Sequence, residues 1–288
     1  MSGVDPKRTA SQIRQTVAVW RAAGESVAVV PTMGNLHAGH LSLARLAAEH
    51  ADRVVLTIFV NPTQFGVGED YAGYPRTLAE DRALVDQAGT VDALFLPDVE
   101  EIYPFGTEGG FELKVPELGQ QLCGISRPGH FHGVATVVLR LLNIVGPDLI
   151  VLGRKDYQQL VIIEHMIADL RLPVGVIAGE TQRDADGLAI SSRNLYLTAE
   201  ERRLAPLLHT TLKDVGSRLA RGERDYRAIE QSALERLEQV GFRPDYVEVR
   251  RARDLGRPNG SQSSAELIVL AAAWLGRARL IDNVRVAD

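Results

Sequence analysis

Cysteine is almost missing from this chain. Cys123 is the single one, so no internal disulfide can form and no Cys-x-x-Cys spacing offers a metal site. That suits a reducing compartment and a thiol that is buried or inert rather than nucleophilic. A surplus of positive charge is missing too. Lys and Arg number 32 against 37 Asp and Glu, a formal net charge of -5, which argues against a face built to neutralise nucleic-acid phosphates and leaves room only for a local basic pocket. No apolar run reaches the roughly 18 residues of a membrane span, and the opening MSGVDPKRTASQIRQ has none of the apolar stretch of a secretory signal. The expectation is a cytoplasmic protein that binds neither nucleic acid nor membrane. The G-x-x-x-x-G-K-[ST] phosphate loop is absent, as are internal repeats and low-complexity tracts. What is present is an ordinary globular composition, 45% hydrophobic and 24% charged over 288 residues, enough for a sizeable core and for two domains.

Hydrophobic spacing divides the chain. Ile13, Val17 and Trp20 recur at helical intervals over 11–21, and Gly24 stops the pattern. A Val-rich run at 26–30 predicts the first strand, ending at Pro31. A glycine-bearing loop follows, then an amphipathic helix over 40–50 through Leu41, Leu43, Leu46 and Ala47. A second strand over 53–60 runs into the loop at 61–66. A helix is expected over 77–88, with Thr77 and Glu80 spaced as a capping box, and then a strand over 91–96. An apolar helix at 134–145, a strand at 149–152, a helix at 160–170 and a strand at 173–177 continue the alternation. That order predicts an α/β domain over 1–180, a Rossmann-like doubly wound parallel sheet. After Thr198 the pattern changes to a charge-rich helical stretch reaching Val240, opened by a second capping box at Thr198 and Glu201. Short strands at 246–250, 266–273 and 277–282 follow, so 181–288 reads as a smaller α+β C-terminal domain.

In an open parallel sheet, ligands bind beyond the carboxyl ends of the strands. Four polar segments stand at strand ends or at the domain junction: 31–40, 61–66, 153–159 and 187–194. In the first, His37 and His40 lie three apart across the opening turn of a helix, on one face. Gly39 between them leaves room for a ligand beside the backbone. A helix N-terminus attracts anions, and two imidazoles can donate to a phosphoryl group in displacement. Zinc binding or simple capping remains open at this spacing. Gly153, Arg154, Lys155 and Asp156 set two cations beside a carboxylate, suited to phosphate oxygens or a ribose, or else to a plain charged loop. Ser191, Ser192 and Arg193 offer hydroxyls and a guanidinium for phosphate, or a solvated turn that caps the next helix. Asn61, Gln64, Gln158 and Gln159 are uncharged amides able to donate and accept, as a site for a hydroxy acid requires.

Together these segments resemble the pantothenate synthetases over almost the full length. The carrying motifs are PTMGNLHAGHLSL at 31–43, FVNPTQFG at 59–66, YPRTLAED at 74–81, RPGHFHGVATVV at 127–138, GRKDYQQL at 153–160, DGLAISSRNLYL at 186–197 and AAAWLGRARLIDN at 271–283. The resemblance implies a nucleotidylyltransferase-superfamily fold with a C-terminal lid, a homodimer, ATP and Mg²⁺, and two half-reactions. Pantoate attacks the α-phosphate of ATP, and β-alanine then displaces AMP from the pantoyl adenylate. It further implies catalytic roles for His40, His37 and Lys155, with His40 the proton donor. ATP would be lined by Met33, Gly34, Asn35, Leu36, His37, Ala38, Gly39 and His40. It would also meet Gly153, Arg154, Lys155, Asp156, Gln182, Ile190, Ser191, Ser192 and Arg193. Gln64, Gln159 and Asn61 would hold pantoate, Gln64 would also meet β-alanine, and Glu80 and Asp81 would lie near the metal. Arg154, Thr63, Ile190 and Gln182 depart from the commonest family pattern, and none of these departures removes a catalytic group. A nucleotide-forming adenylyltransferase or a class I synthetase fragment would share the histidine segment but not NPTQF or GRKDYQQ, and a nucleotide-sensing module would not need the acid-binding amides Gln64 and Gln159.

Overall fold

The computed structural model describes residues 3–66, 69 and 71–286. Residues 1, 2, 287 and 288, at the outer limits of the two expected domains, lie outside them. The described chain forms two compact units, one of residues 3–154 and 162–180 and the other of 155–161 and 181–286. The short segment 155–161, expected with the first domain, belongs to the second unit.

In the first unit the elements run β1 (Pro6–Lys7), α1 (Ala10–Ala22), β2 (Val27–Thr32), α2 (Ala38–Ala48), β3 (Arg53–Ile58), α3 (Leu78–Ala88), β4 (Ala93–Phe95), α4 (Val99–Ile102), α5 (Cys123–Ser126), α6 (His130–Val145), β5 (Leu149–Gly153), α7 (Tyr157–Asp169), which counts to this unit from Ile162 on, and β6 (Gly175–Gly179). All described strand pairs in this sheet are parallel, in the order β1-β4-β3-β2-β5-β6. From β4 onward this is the doubly wound order, with its switch point between β2 and β5. Ala28, Val30, Val54, Leu56, Leu94 and Val151 bury one face of the sheet against Ala44 and Ala47 of α2 and Val85 of α3. The expected Rossmann-like α/β fold is present.

Two local expectations fail for identifiable reasons. The first strand does not stop at Pro31 but runs to Thr32, with Pro31 opposite Thr57 of β3. Pairing of β2 with β5 ends at Val29, so the missing Pro31 N–H falls where no partner remains. Thr77 caps α3 without a side-chain bond to its first turn. Its hydroxyl instead donates to Asp81 Oδ1 at 3.2 Å, so Thr77 and Glu80 form no capping box. Sequence reading also missed β1, a two-residue edge strand, and the Thr9–Gln12 capping box that opens α1.

In the second unit the long helical stretch is α8 (Ala199–Leu204), α9 (Leu207–Ala220) and α10 (Tyr226–Gln239), followed by β7 (Arg243–Arg251), β8 (Leu267–Leu275) and β9 (Ala278–Arg285). Thr198 and Glu201 do form the expected capping box. Pro206 separates α8 from α9, and Gly222 at φ +91° turns the chain after α9. The three strands pair antiparallel in the order β7-β8-β9. Leu212, Leu219 and Ile229 fill the space against Val249, Leu267 and Val269, all fully buried. Truncating one such side chain to Ala costs about 2–5 kcal/mol. Cys123 is a buried free thiol, and no helix among the described residues is long and apolar enough to cross a membrane.

Candidate active site

The loop after β2 is tied down before it reaches the histidines. Thr32 Oγ1 donates to the Thr57 carbonyl at 2.7 Å and accepts from Gly34 N at 3.2 Å. Gly34 at φ +80° and Asn35 at φ +49° then turn the chain through left-handed conformations that glycine and asparagine tolerate. This turn aims two amides at one carboxylate: Asn35 N reaches Asp81 Oδ2 at 3.0 Å and Leu36 N reaches Asp81 Oδ1 at 2.7 Å. Asp81 is only 2% exposed. With Thr77 as third donor, its oxygens hold the loop. Glu80, its neighbour, is exposed on the first turn of α3.

His37 and His40 are themselves the cap of α2. His37, extended at φ -145°, is the N-cap residue, and its Nδ1 accepts from Gly39 N at 3.2 Å. His40 Nδ1 accepts from His37 N at 3.3 Å, and the two rings stack with centroids 4.0 Å apart. Accepting at Nδ1 puts the proton of each neutral ring on Nε2. The pair therefore presents two N–H donors at the positive end of an 11-residue helix. A Cβ on Gly39 would lie 3.0 Å from the His37 ring, so its missing side chain makes room for that ring. Capping and anion binding, read from sequence as alternatives, are compatible here because they use different nitrogens.

The loop after β3 is a second built feature. Asn61 is buried, and its Nδ2 donates to Gln64 Oε1 at 3.2 Å and to the Gly133 carbonyl at 3.1 Å. Its Oδ1 accepts from the Tyr103 hydroxyl at 2.7 Å and from the Thr63 hydroxyl at 3.1 Å. Two donors and two acceptors are thereby used, so Asn61 orients Gln64 and its own amide is satisfied by protein. Burial pushes the Tyr103 phenol up, beyond what its Thr63 and Asn61 bonds and the nearby Arg140 offset, and keeps it a neutral donor. With Gln64 Oε1 taken by Asn61, its NH₂ turns to Met33 Sδ at 3.1 Å, a weak acceptor. Tyr103 and Gly133 were missed from sequence, since neither stands at a strand end.

In the second unit, Lys155, Ser191, Arg193, Asn194, His209 and Asp282 line one narrow cleft. Ser191 Oγ accepts from Arg193 N and so opens the short 3₁₀ turn Ser192–Tyr196. Ile190 N bonds the Gln182 carbonyl at 2.9 Å, closing a hairpin with the Arg183–Ala189 bridge. The hairpin is anchored by Asp282, which is 4% exposed and accepts from Arg183 Nη1 and Nη2 at 2.7 and 2.8 Å. Burial pushes the Asp282 carboxyl up, but the His209 ring 3.2 Å away and the Arg183 guanidinium outweigh it and hold it below the usual aspartate value. The next residue, Asn283, donates to the Lys155 carbonyl at 3.0 Å. Lys155 Nζ lies 3.8 Å from Asp156. Gln159 is half-buried beside a buried Gln158, and Gln182 is exposed. In the first unit Gly153 ends β5, and Arg154 pairs with Glu180 at 3.1 Å. Arg154 thus engages an acidic neighbour through the very change that departs from the family pattern.

A doubly wound sheet with a histidine-capped helix after its central strand places this chain among the α/β folds that bind ligands beyond the carboxyl ends of their strands. The family model of the pantoate-beta-alanine ligases matches residues 7–285. Pantothenate synthetase of Alkalilimnicola ehrlichii is 53% identical over 97% of this chain and 96% of its own, and that of Thioalkalivibrio sulfidiphilus 55% identical over 93% and 92%. The crystal structure of pantothenate synthetase from Thermus thermophilus superposes with a TM-score of 0.88 at 41% identity, covering 98% of this chain and 99% of that one. The pantoate-beta-alanine ligase from Francisella tularensis, described as complexed with beta-gamma ATP and beta-alanine, gives 0.80 at 31% identity, covering 99% and 98%. The chain belongs to the pantoate–β-alanine ligase family.

Proposed function

We propose that this chain joins pantoate to β-alanine with ATP through a pantoyl adenylate, releasing pyrophosphate and AMP. A pantoate carboxylate oxygen attacks the α-phosphorus and pyrophosphate leaves. The β-alanine nitrogen, as the free amine, then attacks the acyl carbon, and AMP departs with the oxygen that came from pantoate. The observation that carries this reading is the His37–His40 pair, whose Nδ1 atoms cap α2 and whose rings therefore carry their protons on Nε2 at the N-terminus of that helix, where anions are favoured. Donors fixed before the reaction stabilise charge as it develops on the phosphates, with no reorganisation in the displacement step. Lys155 adds a cation, and His40 acts as proton donor to the leaving group.

The segment 33–40 cradles ATP in this reading, together with Gly153–Asp156, Gln182 and Ile190–Arg193. Gln64 and Gln159 hold pantoate, and Gln64 also meets β-alanine. Asn61 changes role, from substrate ligand to the residue that turns the Gln64 amide. Residues 1–180 serve as the ATP- and pantoate-binding domain and 181–288 as the lid, in a cytoplasmic homodimer. Among the described residues no group of three or more His, Cys, Asp or Glu could hold a metal, and Asp81 is committed to its loop, so Glu80 and Asp81 do not fit a metal site. Mg²⁺ enters as part of the nucleotide substrate, held by phosphates and water.

The test is pyrophosphate exchange. Protein, ATP, Mg²⁺ and pantoate without amine should incorporate labelled pyrophosphate into ATP, and only when pantoate is present. Folded protein that catalyses no such exchange would exclude a reversible acyl adenylate.

A further inference from the structure

The motif RPGHFHG at 127–133 has no part in the reaction as described, yet three of its residues converge on Gln64. His130 Nδ1 lies 2.8 Å from the Gln64 carbonyl. A carbonyl can only accept, so Nδ1 carries the proton, and His130 Nε2 is left to accept from Arg127 Nη1 at 2.9 Å. Arg127 is fixed in turn by a two-point contact with Glu69, Nε to Oε1 at 2.6 Å and Nη2 to Oε2 at 2.7 Å. Its Nη2 also reaches the Gln64 carbonyl at 3.4 Å. Gly133 closes the arrangement. Its carbonyl takes Asn61 Nδ2, and a methyl on its Cα would run into the Thr63 carbonyl, so only glycine lets the first turn of α6 lie against the 61–64 turn.

Gln64 is therefore gripped twice, at its side-chain oxygen by Asn61 and at its main-chain oxygen by His130 and Arg127. Side-chain direction follows from where the backbone is held, and binding geometry tolerates errors of only about 0.5 Å. We infer that His130, steadied by Arg127 and Glu69, is a positioning residue for the acid substrate: it fixes the main chain from which the Gln64 amide is presented. This rests on the reading of Gln64 as a pantoate-binding amide, and the test separates the two.

The experiment is a double-mutant cycle on the full chain, with KM measured separately for pantoate and for ATP. His130→Phe keeps the ring and removes the donor. It should raise the pantoate KM about 10-fold and leave the ATP KM within about 2-fold. His130→Asn, whose amide can occupy the Nδ1 position, should restore the pantoate KM to within about 3-fold of the parent. In a Gln64→Ala background, His130→Phe should add less than about 2-fold, because the group it positions is gone. If Gln64→Ala leaves the pantoate KM unchanged, the reading of Gln64 fails and the inference with it. If Gln64→Ala raises it but His130→Phe does not, only the inference fails. Additive effects, or equal shifts for ATP, also overturn it. Should His130→Phe not fold, Arg127→Lys takes its place in the cycle, since lysine cannot hold Glu69 and His130 together. An unchanged pantoate KM there overturns the inference equally.

Discussion

Asp81 in the first unit and Asp282 in the second are both buried carboxylates that anchor a loop bearing candidate site residues, but they hold different partners. Asp81 takes two backbone amides and a hydroxyl. Asp282 takes a guanidinium at two points, with an imidazole beside it. Removing the first leaves neutral donors unsatisfied, whereas removing the second leaves a charge without its counter-ion. The first anchor cannot be rebuilt by changing a partner side chain, because its main partners are main chain. The second can.

The largest expected effect is on stability of the second unit. Asp282→Ala should cost about 3–5 kcal/mol by calorimetry, and the pair Arg183→Met with Asp282→Leu should recover at least half of it. A cost no greater than that of Asp81→Ala would break the comparison. Next comes His40→Ala, which should slow pyrophosphate exchange about 10²-fold, near 2.7 kcal/mol in barrier, while the ATP dissociation constant moves less than about 3-fold. An equal loss in ATP binding would make His40 a ground-state ligand. Asp81→Ala should cost about 1–3 kcal/mol and speed hydrogen exchange at the Asn35 and Leu36 amides. The smallest effect is with pH. Because Asp282 titrates lower folded than unfolded, its stabilisation is complete above the ordinary aspartate value and is lost as pH falls through the depressed one. Protection of the Ile190 amide, which closes the hairpin, relative to its intrinsic exchange rate should therefore fall in that acid range. In the Met–Leu pair this contribution should vanish.

Much of this molecule was legible in its sequence because its signals are periodic. Alternating apolar runs gave the parallel sheet, and Thr198 with Glu201 gave a cap that forms as read. Thr77 with Glu80 carries the same spacing and forms none, because Asp81, four residues on and held by the distant Asn35 and Leu36 amides, draws the hydroxyl away. The histidines stood out by spacing and capping was one reading of them, but which ring nitrogen does the capping was not legible, since histidine is outside the usual capping set. Asn61 read as a ligand because its type suits one. Only the positions of Tyr103 and Gly133, 42 and 72 residues away, show that its capacity is filled. Asp282, in a motif already recognised, gave no sign of its partner 99 residues earlier.

The central claim is that the carboxylate of pantoate attacks the α-phosphate of ATP. Pantoate labelled with ¹⁸O in its carboxylate, turned over with ATP and β-alanine, tests this most directly by mass spectrometry of the products. The account predicts one ¹⁸O in the phosphate of AMP and one retained in the amide carbonyl. Unlabelled AMP, or ADP in its place, would contradict it.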